Sequence, residues 1–279
     1  MKILNKALLI SCFTFLIVYS SITYAKEKQE LIFGSVAMDI PAKMHNRLKP
    51  LTRYLSEKLN MPVTLKLAPD MATAIDDVAK GSVDIAYLTP VAYLKSHAKG
   101  NTKLVAKTVT NKKDSFQLMI VVDNKSEINN IKDLKGKRFA FGDKAALLQR
   151  AVVVGANMPL ENLGSYEFLG HYDNIVRGVL RGEFDAGILK DTKYYGWKNK
   201  GIRLLHSSPK LPPYNIATNK NVSSKLYHKI KKAFLGLSVN NPNEKAIIKS
   251  LSKKYDGFAE TNDAEYDVIR ELVAPFSNK

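Results

Sequence analysis

The sequence predicts an α/β protein made of two similarly built lobes. Two observations point there: short β-rich runs alternate with helical periods along the chain, and a nine-residue pattern returns 101 positions after it first occurs. A third locates the function, because the residues just past the matched strands sit where open α/β sheets form ligand crevices.

Composition sets the frame. The chain has 279 residues, 45% apolar and 25% charged, which excludes disordered, collagen-like and disulfide-scaffold readings and suits one large domain or two ordinary ones. Its single cysteine, Cys12, rules out an intrachain disulfide or a CxxC site. Residues 1–25 read as a secretory signal peptide: Lys2 and Lys6 precede an apolar run from Ala7 to Ser20, and Thr23-Tyr24-Ala25 ends in the small residue a signal peptidase accepts. The alternatives are an uncleaved anchor, for which the run is shorter than the ~20 residues a span needs, and a lipoprotein at Leu9-Ile10-Ser11-Cys12, against which the chain stays apolar after Cys12.

Cleavage after Ala25 takes the formal charge from +17 to +15 and leaves no membrane-spanning apolar window, so a soluble periplasmic chain is expected. Its lysines, Lys58, Lys99, Lys135 and Lys231 among them, are scattered and not interleaved with stacking aromatics. No nucleic acid is therefore expected; the charge forms a solvated surface or steers anions.

Each element follows from its own pattern. Leu31 to Val36 is a strand; Met44, Leu48, Leu51, Leu55 and Leu59 mark a helix that Pro50 should kink. Val63, Leu65 and Leu67 alternate as a strand, and Met71, Ile75, Val78 and Ala79 mark the next helix. Ile85 to Leu88 is a buried strand, after which Thr89-Pro90 caps a helix with proline at its first position. In the second half, Phe139 to Phe141, Tyr166 to Leu169 and Ala186 to Leu189 are strands, separated by helices over Ala145–Ala156 and Asn174–Arg181. Leu226, Ile230, Phe234 and Leu237 form a helix behind Ser223; Tyr266, Ile269 and Val273 form a last one behind Asp263.

The recurrence is Lys80-Gly81-Ser82-Val83-Asp84-Ile85-Ala86-Tyr87-Leu88 against Arg181-Gly182-Glu183-Phe184-Asp185-Ala186-Gly187-Ile188-Leu189. Each copy reads as a helix stopped by glycine, a turn and a buried strand, which suggests two lobes built alike; a chance match of a common connection is the alternative. Past the strands lie Thr89, Pro90 and Tyr93 in one lobe and Lys190 and Asp191 in the other, so a cleft between lobes is the expected ligand site. Asp84 and Asp185 precede their strands and read as turn residues, at the end opposite the crevice.

Several pieces carry a resemblance: Phe33-Gly34, Arg47 with Pro50-Leu51 and Tyr54-Leu55, Gly81-x-x-Asp84-x-Ala86 leading to Pro90-x-x-Tyr93, Asp133-Leu134-x-Gly136-Lys137 before Phe139 to Asp143, Gly170-His171-x-Asp173, Gly182-x-x-Asp185-Ala186 and Pro213-Tyr214. Their order and spacing, over about residues 31 to 237, resemble the phosphonate-binding protein family of ABC importers. The resemblance implies a type II periplasmic binding protein: lobe 1 over 26–114 and 219–279, lobe 2 over 115–218, hinge-crossing strands near Phe116 to Val121 and Tyr214 to Ala217, and a small organic anion or zwitterion held between. It implies no cofactor, no metal and no catalysis. The partners it implies are the solute and an inner-membrane ABC permease, with the protein acting as a monomer.

The same resemblance places Tyr93 against the ligand from lobe 1, and His171 and Asp191 from lobe 2, where a carboxylate suits a ligand ammonium. Core packing is the competing account for Tyr93, and a loop role for His171. By the crevice rule, Ser35, Met38 and Thr89 are lining candidates. The sequence departs from the family at Asp143-Lys144-Ala145-Ala146, which stands where a Ser/Thr-rich turn would grip phosphonate oxygens. Lys144, Ala145 and Ala146 are retained as ligand-binding candidates, through the turn's amides and the lysine charge, but tetrahedral anions should bind weakly there.

Catalytic motifs are missing: there is no G-x-S-x-G, H-E-x-x-H or P-loop, and His45, His97, His171, His206 and His228 are too dispersed for a metal site by spacing. The leading expectation is a non-enzymatic solute-binding component of an importer. A sensor module presenting its bound state to a membrane kinase or cyclase, and an exported α/β enzyme, are the other classes.

Overall fold

Two copies of one βαβαβ unit organise the chain in this computed structural model, which describes residues 30–35 and 41–277; the expected signal peptide and Met38 lie outside them. The first copy runs β1 (Leu31–Ser35), α1 (Pro41–Leu59), β2 (Val63–Leu67), α2 (Met71–Lys80) and β3 (Ile85–Leu88), followed by α3 (Pro90–Gly100), β4 (Lys103–Thr110) and β5 (Leu118–Asp123). The second runs β6 (Arg138–Phe141), α4 (Leu147–Gly155), β7 (Ser165–Phe168), α5 (Tyr172–Leu180) and β8 (Ala186–Lys190), followed by α6 (Asp191–Trp197), β9 (Ile202–Ser207) and β10 (Asn215–Thr218). The chain closes with α7 (Ser224–Leu235), α8 (Pro242–Leu251), β11 (Tyr255–Ala259) and α9 (Asp267–Val273).

These strands make two sheets, ordered β11-β4-β10-β3-β1-β2 and β7-β6-β8-β5-β9. In each unit the first strand lies parallel between the other two, so the copies share one topology. The recurring nine residues do the same work twice. Gly81 and Gly182 follow their helices with φ of +84° and +70°, a left-handed turn that glycine adopts without a Cβ clash. Asp84 then accepts the amide of Ile32 on the neighbouring strand at 2.8 Å, and Asp185 accepts that of Arg138 at 2.7 Å. The one small-residue difference, Ala86 against Gly187, has a cause: a Cβ at Gly187 would lie 2.3 Å from the Ile175 Cγ2.

The chain crosses between sheets at residues 111–117 and 208–214. The first crossing opens on a tight turn in which Thr110 and Lys113 exchange backbone hydrogen bonds and Asn111 and Lys112 have φ of +49° and +60°. The two crossings are then stitched together where Phe116 and Leu211 exchange amide bonds at 2.9 and 2.8 Å.

Apolar cores cover both faces of each sheet. Ile269 of α9, fully buried, packs with Phe139, Leu148 and Val152 on the second sheet, whereas the neighbouring Tyr266 packs on the first with Tyr93. The C-terminal segment thus packs against the cores of both sheets. Strands β4, β9 and β11 and helix α8 lie outside the elements that the sequence pattern predicts. Helix α4 starts at Leu147, not Ala145, because the Asp143 carboxylate holds the Ala145 amide in a preceding turn at 2.8 Å. The C-terminal turn is capped by Asn262, which accepts the Glu265 amide, leaving Asp263 free for other partners.

Candidate functional site

Strand ends from both lobes meet across the crossings and enclose a cavity of about 110 Å³. Thr110, Asn111 and Lys113 line it from the end of β4, Ser115, Phe116 and Pro213 from the crossings, and Lys190, Asp191, Thr192 and Tyr195 from the β8–α6 junction. The crevice rule places ligands at such carboxyl ends of strands.

Lys190 is the central charge. Its ammonium lies 4.4 Å from the centroid of the Phe116 ring, a cation–π contact, and no carboxylate forms an ion pair with it among the described residues. Burial pulls its pKa below the ordinary lysine value; the Asp191 charge opposes that fall and Lys254 adds to it. Lys107 makes the contrast plain. It is also buried, but carboxylates of Asp114 and Glu265 hold it at 2.9 and 2.7 Å. A desolvated ammonium left without a carboxylate is one that a bound anion would neutralise.

Asp191, 5% exposed, is fixed at the start of α6: its amide donates to the Gln117 carbonyl at 2.9 Å and its Oδ1 accepts the Thr192 amide at 2.6 Å. Its charge reaches Tyr172, whose hydroxyl is pushed up to about 12, first by burial and further by Asp191, with the Gln149 hydrogen bond opposing. Tyr214, stacked on Tyr87 at 5.3 Å between ring centroids, is likewise raised by burial, with Tyr255, Tyr172 and Asp143 adding to the effect. Both tyrosines therefore stay neutral, and the charges of Tyr172 and Asp143 act on Tyr214.

The β6–α4 turn is closed on itself. The Gly142 amide donates to the Gln149 Oε1 at 2.7 Å, the Ala145 amide to the Asp143 Oδ1 at 2.8 Å, the Ala146 amide to the Asp143 carbonyl at 2.9 Å, and the Leu147 amide to the Ala145 carbonyl at 2.9 Å. Lys144 and Ala145 are exposed and Ala146 half-buried. His171, exposed, opens α5 on the adjoining loop, which the Gly170 amide ties to the Gly142 carbonyl at 3.1 Å.

The first-lobe candidates are dispersed. Thr89 uses its hydroxyl to cap α3, accepting the Ala92 amide at 3.1 Å. Ser35 is buried at the end of β1, beside a void of about 10 Å³ between β1, β2 and α2, and not in the inter-lobe cavity. Tyr93, 1% exposed, donates its hydroxyl to Asp263 at 2.6 Å and packs edge-on against Tyr266 at 4.8 Å. It lines a different, larger hollow of about 510 Å³, formed with His97, Tyr227, His228 and Asp263 on the first lobe alone. That hollow has no wall from the second lobe, so the smaller inter-lobe cavity is the better ligand site. The strand-end rule points to Lys190 and Asp191 in the sequence, whereas Phe116 and Tyr195 reach the cavity from segments whose sequence carries no ligand-site signal. Among the described residues no three His, Cys, Asp or Glu side chains group to hold a metal ion, and no helix is long and apolar enough to cross a membrane.

Comparison with known proteins bears on this geometry. A family profile described as "ABC transporter, phosphonate, periplasmic substrate-binding protein" matches residues 33–266. The phosphonates-binding periplasmic protein of Escherichia coli (strain K12) is 23% identical over 288 residues, covering 98% of this chain and 84% of its own. Among solved structures, XAC2383 from Xanthomonas citri bound to chloride ion is similar, with a TM-score of 0.74, 17% identity and coverage of 90% of this chain and 98% of that one. PhnD1 from Prochlorococcus marinus (MIT 9301) in complex with methylphosphonate has a TM-score of 0.70, 18% identity and coverage of 90% and 99%.

Proposed function

The chain belongs to the periplasmic phosphonate substrate-binding proteins of ABC transporters, and on that premise we propose that it captures a small anionic or zwitterionic solute between its lobes. Proteins of this family bind and deliver substrate; they are not enzymes, and their place is the periplasm. We infer further that residues 1–25 are removed as a signal peptide, that residues 26–114 and 219–279 form one lobe and 115–218 the other, and that the protein works as a monomer.

The observation that carries the ligand reading is Lys190, an ammonium in the inter-lobe cavity that lies over an aromatic ring and, among the described residues, forms no ion pair with a carboxylate. Asp191 in the same cavity supplies the counterpart for a ligand ammonium. Lobe closure on the solute is a hinge motion about residues 111–117 and 208–214, with binding energy biasing the open–closed equilibrium that the permease reads.

A thermal-shift screen over phosphonates, sulfonates, carboxylates and amino acids tests this. A solute at 100 times its Kd adds about 2.7 kcal/mol to folding stability, which for a domain of this size raises Tm by roughly 5–10 °C. If no solute in the panel shifts Tm, the reading fails. Growth on the identified solute should be lost in cleft variants of a transporter, whereas a sensor would lose only a signalling response.

A further inference from the structure

We propose that the Lys190 pocket is built for a singly charged organic anion, a sulfonate or a carboxylate on a short apolar body, and that it discriminates against doubly charged phosphonate and phosphate. This rests on the reading that the cleft binds a solute, and names the class of that solute.

The first argument is charge. The cavity wall carries two ammoniums, Lys190 and Lys113, and one carboxylate, Asp191, which leaves one net positive charge. Farther out, Lys254 acts on Lys190 with positive charge and Asp143 acts on Tyr214 with negative charge. A monoanion is neutralised in that setting. A dianion keeps one uncompensated charge in a partly desolvated site, which is strongly unfavourable.

The second argument is the lack of free donors. A tetrahedral dianion is held by many hydrogen bonds to backbone amides and hydroxyls at a helix start. No residue of the β6–α4 turn lines this cavity, and at the turn itself the amides of Gly142, Ala145, Ala146 and Leu147 are consumed internally while Ala145 and Ala146 offer no hydroxyl.

The third is shape. Phe116, Tyr195 and Pro213 give the cavity apolar walls, and the Lys113 ammonium sits 5.4 Å from the Tyr195 ring. At about 110 Å³ the space holds an anionic headgroup with a short carbon chain, and not a nucleotide.

Methanesulfonate and methylphosphonate share a shape and differ by one charge above neutral pH, so calorimetry with this pair, and with the ethane analogues, isolates the proposal. At pH 8 the sulfonates should bind at least tenfold more tightly than the phosphonates. Lowering the pH to 5.5, where the phosphonate dianions take up one proton and become monoanions, should narrow that gap by tightening the phosphonates. Lys190→Met should weaken sulfonate binding at least thirtyfold, while Lys190→Arg, with the charge retained, keeps the preference and controls for folding. Tighter binding of phosphonates at pH 8 overturns the proposal alone. Heat from neither class, together with no Tm shift from any solute, overturns the reading of the cleft itself.

Discussion

The side-chain oxygen of Gln149 accepts the backbone amide of Gly142 at 2.7 Å, so an internal amide takes up the donor that an oxyanion at the β6–α4 turn would use. Reopening that turn should restore a phosphonate grip. Gln149→Ala combined with Ala145→Ser and Ala146→Ser is expected to raise methylphosphonate affinity by tenfold or more, since one charge-assisted bond contributes about 1.5–3 kcal/mol. Gln149→Ala alone should cost about 1–3 kcal/mol of stability by leaving a buried amide unpaired. Calorimetry and denaturant unfolding measure the two effects, and unchanged methylphosphonate affinity in the triple variant would refute this account of the turn.

Asp191 shares the Lys190 cavity at 5% exposure. If it meets a ligand ammonium, Asp191→Asn weakens aminated solutes selectively, by about tenfold, and spares their unaminated analogues. Equal losses across both sets, measured by competition binding, would show that Asp191 acts only on the position of α6.

Alkaline pH separates stability from binding at Lys190. Burial lowers its pKa in the folded state, so the desolvation cost is present while the ammonium is charged and is relieved as pH rises from the folded pKa towards the ordinary lysine value near 10.5. Over that window the free protein should gain stability while affinity for an anion falls. Lys190→Arg, whose guanidinium does not titrate there, should flatten the fall. A wild-type alkaline limb that persists unaltered in Lys190→Arg would assign it to another group.

Tyr93 tests how far family position predicts a role. Its hydroxyl is held by Asp263 at 2.6 Å, so Tyr93→Phe is expected to cost about 1 kcal/mol and to change solute affinity less than twofold. Burial pushes the Asp263 pKa up, but the Tyr93 hydroxyl and Arg270 together hold it below the ordinary carboxylate value. The stability this contributes is present above that ordinary value and lost as pH falls through the folded one. Tyr93→Phe should therefore shrink the acid destabilisation, and a large loss of affinity instead would place the hydroxyl on the ligand.

Gly187 tests the packing beneath the cleft. With Ile175 Cγ2 only 2.3 Å from the position of an added Cβ, Gly187→Ala should cost about 1–3 kcal/mol. Ile175→Ala in the same chain should recover part of the loss, and thermal unfolding of the three variants checks the coupling.

The local code of this protein is in its sequence. Periodicity marks the paired βαβαβ units. The Gly81/Gly182 and Asp84/Asp185 positions mark the turns between them, because a left-handed glycine and a strand-capping aspartate depend on neighbours close in the chain or fold unit. What only the tertiary structure decided are relations between distant segments. Asp263 reaches Tyr93 from 170 residues away, Phe116 comes from a crossing segment to lie under Lys190, and Ile269 joins the second sheet's core although its chain neighbour Tyr266 joins the first. Whether a lysine is ion-paired, as Lys107 is, or lies over an aromatic ring, as Lys190 does, depends on which side chains fold against it, and no spacing along the chain carries that information.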